Sequence, residues 1–258
     1  MSMEKSVLII GGGIAGIQAA VELADLGFKV YLVEKDPTLG GNVLKVGKVF
    51  PTDDCGLCVS RSEVLKGTRG FRKCYYRLNL PEHPNIIVFT RTKVVRVAKA
   101  NGTFKVELEK QSLGVDPEKC TLCGECVNVC PIEVPDEMNL GLKKRKAIYL
   151  PHPQAIPLSY VIDFESCNKC KKCLEVCKFD AITLNDGSKS LSIDVNAIVV
   201  ATGFEELDPT LLKEYGYRHY KNVITQLQLA RLLDPNGPTN GEVTNLETGK
   251  PAEKVVIT

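Results

Sequence analysis

What this sequence lacks narrows it first. Neither sign of charge dominates: Lys plus Arg (33) nearly match Asp plus Glu (31). The chain therefore has no bulk positive field of the kind nucleic-acid binding draws on. No apolar stretch approaches the roughly 18–20 residues of a membrane helix. The apolar run at 7–10 is too short for the core of a secretory leader and ends in glycines. Tryptophan is absent, and histidine is limited to His83, His152 and His219. Each histidine reads as a surface or structural residue, and no catalytic acid or base is assigned. The expectation is a cytoplasmic protein with no nucleic-acid partner and no direct membrane span.

What is present is size and cysteine. The 258 residues are 44% hydrophobic, enough to bury one large domain or two smaller ones. Eleven cysteines are many for such a chain. In a reducing compartment, cysteines at short regular spacings bind metal or do redox work more often than they form structural disulfides. The basic run Lys143, Lys144, Arg145, Lys146 reads as a solvated turn or loop, with a docking patch for an acidic partner as the alternative.

Periodicity divides the chain. A β-branched run at 7–10 ends in Gly11, Gly12 and Gly13, and a helical pattern follows with Ile17, Ala20, Val21 and Ala24 on one face, stopped by Gly27. A second buried strand at 30–33 ends in Glu34. This predicts a βαβ unit with a right-handed crossover. Strands are expected at 86–90 and 93–97, then a hairpin through Asn101 and Gly102 into 104–108. From about 115 to 184 the composition shifts to Cys, Pro and Lys; Rossmann-type periodicity returns at 191–193 and in the buried run 197–201. One domain is thus split by another. The expected boundaries are 1–112 for the first part of a nucleotide-binding domain, 113–187 for the insert and 188–258 for the return segment. A helix is expected at 223–233 and a strand at 254–258. Such a strand normally feeds a further βαβ unit, so the chain reads as a shortened form or a fragment.

Gly11, Gly13 and Gly16 form a dinucleotide fingerprint. Gly11 allows the tight turn, Gly13 lets backbone approach a pyrophosphate, and Gly16 lets the helix pack closely on the sheet. The helix N-terminus presents free N–H groups to phosphate, and Glu34 is placed to accept hydrogen bonds from a ribose. Gly40 and Gly41 resemble the second glycine pair of two-dinucleotide-binding flavoproteins. The run ending in Ala201, Thr202 and Gly203 resembles their strand beside the flavin. Both resemblances favour FAD over NAD. The candidate FAD-binding set is Gly11, Gly13, Ile14, Ala15, Gly16, Glu34, Lys35, Gly41, Asn42, Ala201, Thr202 and Gly203.

The run Cys120-x2-Cys123-x2-Cys126-x3-Cys130-Pro131 matches a bacterial ferredoxin ligand run, and Cys167, Cys170, Cys173 and Cys177 repeat it with Lys178 in place of the proline. Zinc, which takes four ligands in a tetrahedron from two CxxC pairs, fits this offset poorly, as do disulfides. Three thiolates spaced by two residues wrap one cubane, and the fourth reaches the other. One 4Fe–4S cluster should therefore take Cys120, Cys123, Cys126 and Cys177, and the other Cys167, Cys170, Cys173 and Cys130. Three readings stand for Cys55, Cys58 and Cys74: a dithiol redox pair at Cys55 and Cys58, a third iron–sulfur cluster, or unliganded thiols. Arg72 and Lys73 make the setting of Cys74 electropositive, which suits either chemical reading.

These residues together resemble the iron–sulfur A subunit of heterodisulfide reductase. The resemblance is carried by GGGIAGIQAA at 11–20, VYLVEKDPTLGG at 30–41, FPTDDCGLC at 50–58, the ferredoxin insert, IEVPDEMN at 132–139, KRKAIYL at 144–150 and YVID at 160–163. It implies an α/β fold: an FAD-type, thioredoxin-reductase-like Rossmann domain interrupted by a two-cluster ferredoxin-like α+β insert. It also implies an electron-transfer oxidoreductase component of a hetero-oligomer with other heterodisulfide-reductase-like subunits, and ferredoxin or a hydrogenase- or dehydrogenase-type donor. Flavin-based electron bifurcation comes with the resemblance, as does a cluster role for Cys55 and Cys58 ahead of the dithiol. The segment 61–80, with Gly67, Gly70 and Cys74, departs from the family pattern. Two alternative functions are a non-catalytic electron relay or assembly module and an FAD-dependent disulfide reductase using Cys55 and Cys58.

Overall fold

The computed structural model describes residues 5–47, 80, 82–100 and 102–257. Cys55, Cys58 and Cys74, with the readings attached to them, lie outside the described residues, as do Asn101 and Thr258. The described residues form two units. One comprises 5–41, 80–134 and 145–203; the other comprises 42–47, 135–144 and 204–257.

The first unit opens with β1 (Ser6–Ile10), an apolar run buried on both faces as a parallel sheet requires. Helix α1 (Ile14–Asp25) buries Gly16, Ile17, Ala20, Val21 and Ala24, the stripe spaced at three and four residues that packs a helix on a sheet. Gly27, at φ +87°, turns the chain into β2 (Lys29–Val33). β3 (Ile86–Phe89) continues the sheet, and β4 (Thr92–Ala100) and β5 (Thr103–Gln111) form the expected hairpin. The chain then enters the insert, which holds α2 (Glu125–Asn128), β6 (Glu133–Pro135), β7 (Lys144–Lys146), β8 (Ile148–Tyr149), β9 (Val161–Ile162) and α3 (Lys172–Val176). It returns through β10 (Ser188–Val195) and β11 (Ala197–Val200).

Two larger sheets result among the described residues, a parallel one ordered β11-β1-β2-β3 and an antiparallel one ordered β10-β5-β4, beside the two-stranded pairs β6-β7 and β8-β9. Leu8 and Val33 of the first pack with Val106, Leu108 and Val195 of the second. β10 pairs with β5 from Phe104–Val195 to Gln111–Ser188, so the insert leaves and re-enters the sheet at one place. Arg91 ties that junction: its Nη1 donates to the carbonyls of Ser112 (2.9 Å) and Ile162 (2.7 Å). The core of the insert is Val115, Cys126, Ile148, Ile162, Cys173 and Ala181. The α/β Rossmann sheet with a ferredoxin-like insert is thus as expected.

Two expectations are corrected. The basic run 143–146 is solvated only in its first half, where Lys143 and Lys144 are exposed. Its last three residues are β7, where Arg145 lies over the Tyr149 ring (3.8 Å to the centroid) and its Nη2 pairs with Asp163 Oδ2 at 3.1 Å. Lys146 pairs with Glu133 at 2.9 Å. Partners distant in sequence, which a charge run cannot reveal, take up the charge of Arg145 and Lys146, while Lys143 and Lys144 stay exposed. The strand expected at 254–258 is not formed over the described residues 254–257, where Val256 and Ile257 are each 83% exposed. An apolar sequence makes a strand only where another strand supplies the ladder, and none among the described residues pairs with it.

In the second unit, α4 (Gln226–Leu233) starts later than the sequence pattern suggested, because Thr225 and Gln228 close a capping box there. Arg231 on α4 is fully buried. It is held by Asp234, by Asn139 Oδ1 (3.0 Å) and by the carbonyls of Lys45 and Asn236 (both 3.4 Å). One guanidinium thereby joins the three chain segments of the unit.

Candidate cofactor sites

The first site lies where β1 ends. Gly11, at φ +108°, donates its N–H to the Val33 carbonyl at 2.8 Å. A Cβ on Gly11 would fall 2.3 Å from the Ala201 carbonyl oxygen, and one on Gly16 would fall 1.9 Å from the Gly11 carbonyl oxygen. Neither contact is survivable, so both glycines are demanded by packing of the chain on itself. Gly13 is different. It is the N-cap of α1, has an ordinary extended φ of −74°, and a Cβ there would meet nothing within 4 Å. No side chain caps α1 and no acid sits in its first turn. Its leading N–H groups therefore face open space beside Gly13, which suits an anion.

The second glycine pair folds back onto the first. Gly40 donates to the Gly12 carbonyl at 2.7 Å, and Gly41, at φ +57°, is so placed that a Cβ would come 3.2 Å from Gly13 Cα. Glu34 is buried, and accepts the N–H of Gly12 at Oε2 (2.6 Å) and of Asp36 at Oε1 (2.9 Å). Burial raises its pKa, partly offset by those backbone bonds. Each carboxylate oxygen keeps a second lone pair for a ribose hydroxyl. Ala201 closes the far side, its N–H donating to the Ile10 carbonyl at 2.8 Å, and is followed by exposed Thr202 and by Gly203 at φ +75°. Ile14, Ala15 and Lys35 are exposed around this loop. Asn42 falls in the second unit, where its side-chain amide donates to the Phe204 carbonyl at 3.2 Å. The Gly13 cradle, uncapped helix start and buried acid fit a dinucleotide.

The insert repeats one backbone device. In the first run Leu122 and Gly124 have φ +60° and +84°; in the second Lys169 and Lys171 have φ +54° and +66°. Gly124 and Lys171 are the N-caps of α2 and α3. Cys120 donates its N–H to Asp116 O (3.1 Å), and Cys167 donates to Asp163 O (2.9 Å). These turns bend each loop around a hollow. One hollow is lined by Cys120, Cys123, Cys126 and Cys177 with Tyr160 and Phe179. The other is lined by Cys130, Cys167, Cys170 and Cys173 with Ile148 and Ile162. The fourth cysteine of each run therefore crosses to the other hollow.

The donor chemistry fits a cationic cluster. Burial pushes the Cys126 thiol up to about 12, helped by the nearby Cys120, Cys123 and Cys173 sulfurs. Burial and then Cys167 and Cys170 raise Cys173. Thiols this crowded in a dry wall give up their protons only to a metal. Among the described residues no three His, Cys, Asp or Glu side chains converge on one ion. The cysteines are spread around a hollow, as the four iron corners of a cubane require. At the second loop the Lys169 N–H already points at Cys167 Sγ (3.4 Å). Sequence reasoning missed Tyr160, whose hydroxyl lies 3.5 Å from where a Gly124 Cβ would be. It also missed the clamp between Thr38 Oγ1 and the Ile156 N–H (2.8 Å), which ties the middle of the insert to the second glycine loop. Neither carries a spacing signal.

Family models place this arrangement. Residues 6–114 match the FAD dependent oxidoreductase family, and residues 113–136 and 160–183 match the 4Fe-4S binding domain family. The whole chain is 49% identical to an iron–sulfur A subunit of CoB–CoM heterodisulfide reductase from Methanopyrus kandleri and 44% identical to that of Methanocaldococcus jannaschii. It is 41% identical, again over its full length, to the A subunit of the H(2):CoB-CoM heterodisulfide,ferredoxin reductase from Methanothermobacter marburgensis. In each case the chain spans 37% of the relative's length.

Proposed function

The chain is homologous from end to end to a stretch of the heterodisulfide reductase A subunit, and on that premise we propose that it is the flavin-and-cluster electron-transfer core of that subunit. FAD, when bound, supplies the exchange between two-electron and one-electron chemistry. Gly13 and the start of α1 receive the pyrophosphate, Glu34 the ribose, and Ala201 to Gly203 flank the flavin. The eight insert cysteines hold two 4Fe–4S clusters, with Cys126 and Cys173 buried on the protein side and Cys123 and Cys170 exposed. The functional domains are those read from the sequence: 1–112 and 188–258 for FAD, 113–187 for the clusters. In this reading the chain works in the cytoplasm inside a hetero-oligomer. Partner subunits, with ferredoxin or a hydrogenase- or dehydrogenase-type protein as donor, then decide the terminal acceptor and whether electron pairs are split. No helix among the described residues is long and apolar enough to cross a membrane.

One observation carries the reading: two hollows, each walled by three cysteines of one run and the fourth of the other. The test is quantitation of iron and flavin in anaerobically purified protein. About eight iron and one flavin per chain are expected; about twelve iron would call for a third cluster at Cys55, Cys58 and Cys74. Absence of flavin would overturn the FAD assignment, and absence of iron the whole reading.

A further inference from the structure

The two cluster loops share a backbone but not a charge. Each has a left-handed residue before and after its second cysteine, a helix N-cap at the second of these, and an aspartate carbonyl taking the first cysteine's N–H. Most backbone dipoles therefore act similarly on the two hollows, with one difference, the Lys169 N–H directed at Cys167 Sγ in the second loop. The side chains do not. Between Cys120 and Cys126 stand Thr121, Leu122, Gly124 and Glu125; between Cys167 and Cys173 stand Asn168, Lys169, Lys171 and Lys172.

The other charges nearby do not undo this contrast. Lys119 and Glu125 line the first hollow and offset one another, while Lys171 lines the second with no acid in its wall. Glu118 and Glu165 occupy matching places ahead of the two loops. Asp163 is matched by Arg145 at 3.1 Å, and Lys169 is shared with Asp186 at 2.8 Å. Lys178, beside Cys177, works toward the first hollow, and Glu175 near the second works the same way; both are exposed. The excess of positive charge next to the second loop survives this count. Burial does not separate the two in that direction: Phe179 on the first hollow is 52% exposed, while Ala147, Ile148 and Ile162 of the second are buried; the contrast is one of charge.

The conformation at Lys171 is a second, independent sign. Its φ of +66° matches Gly124 at φ +84° in the first loop. A glycine is comfortable there, whereas a side chain costs about 1 kcal/mol. The second loop nonetheless carries lysine in that place.

We propose that Lys169, Lys171 and Lys172 make the cluster of Cys130, Cys167, Cys170 and Cys173 the electron sink of the pair. The inference rests on the two-cluster reading above. Adding one electron puts one more negative charge on a cubane held by four thiolates, with no bond made or broken. Nearby ammonium groups stabilise that charge, and the other hollow, where Lys119 and Glu125 offset one another, has no such excess. An electron entering the insert from the flavin or from a chemical reductant therefore settles on the second cluster. Exposed charges at this range give a preference on the order of tenfold, about 59 mV for a one-electron couple.

The experiment is a potentiometric titration of the iron-loaded full chain with dithionite, followed by electron paramagnetic resonance. Two midpoints are expected, and Cys130→Ser should alter the signal of the higher one while Cys177→Ser alters that of the lower. Replacing Lys169, Lys171 and Lys172 together by Gln should lower the upper midpoint and cut the preference to about threefold or less, leaving the lower midpoint in place. Lys119→Gln should move only the lower midpoint. Coincident midpoints in the parent protein, or a triple variant that shifts the lower midpoint or neither, overturn the inference. A preparation without iron would instead sink the two-cluster reading, so the two failures are distinguishable.

Discussion

At Gly13 and Gly16 one residue type serves two purposes, and substitution separates them. Gly16 is small because the Gly11 carbonyl occupies the place of its Cβ. Gly13 has free space around it, and its φ suits any residue. Gly13→Ser should therefore leave thermal stability of the flavin-free protein unchanged or a few tenths of a kcal/mol higher, because serine is a good N-cap. Its hydroxyl would take the N–H groups meant for phosphate, so flavin absorbance should vanish while iron content stays. Gly16→Ala should lose flavin and stability together, by more than about 2 kcal/mol. The fingerprint spacing identified both glycines; only the neighbouring atoms tell which one faces the ligand and which one faces the protein.

Also at residue scale, the Asp163–Arg145 pair sets an acid limit. Burial opposes ionisation of Asp163, but the Ser166 hydroxyl and the Arg145 guanidinium outweigh it and hold its pKa below the ordinary 3.8. A carboxyl with a lowered folded pKa stabilises the fold above its unfolded value, and that contribution is lost as pH falls below 3.8 through the lowered value. Asp163→Asn should cost about 1–3 kcal/mol at neutral pH, since it leaves a mostly buried guanidinium without its counter-charge. Denaturant midpoints measured from neutral pH down to about pH 3 should fall less steeply for the variant than for the parent; equal slopes would remove Asp163 from the acid transition. The sequence displayed this arginine only as part of a basic run, because its partner lies on a distant segment.

At the scale of elements, βαβ order was legible where periodicity is strong. β1, α1 and β2 follow from an apolar run, a helical stripe and a second apolar run, each punctuated by glycine. The clamp between the insert and the Rossmann loop was not. Thr38 and Ile156 are buried and joined by one hydrogen bond at 2.8 Å. The Leu39 N–H donates in turn to the Ile156 carbonyl at 3.3 Å. Thr38→Val keeps the shape but leaves the Ile156 N–H buried without an acceptor, a loss of about 1–3 kcal/mol. A melting temperature unchanged from the parent would show that the N–H finds water instead. The failed strand at 254–257 teaches the complementary lesson: propensity proposes a strand, but a ladder partner makes it.

At the scale of the whole molecule, the insert is held by pairing across its two ends, β5 with β10, and by crossing of its ligands. Cys177→Ser should therefore damage the cluster whose other ligands are Cys120, Cys123 and Cys126, although it belongs to the second run, and Cys130→Ser should do the reverse. Mössbauer or paramagnetic resonance spectra of the two variants should show loss or conversion of different clusters; the same cluster affected in both would refute the crossing. The sequence by itself determined the cofactor classes, because glycine spacing and cysteine spacing are chemical requirements met along a few consecutive residues. It also determined that a Rossmann sheet is interrupted by a ferredoxin-like insert, since composition and periodicity change together there. Tertiary structure alone decided what particular charges and glycines face: the glycine left with open space beside it, the arginine absorbed by a distant aspartate, the fourth cysteine of each run carried to the other hollow. Those outcomes depend on groups far apart in the chain, and spacing along a sequence carries no information about which of them meet.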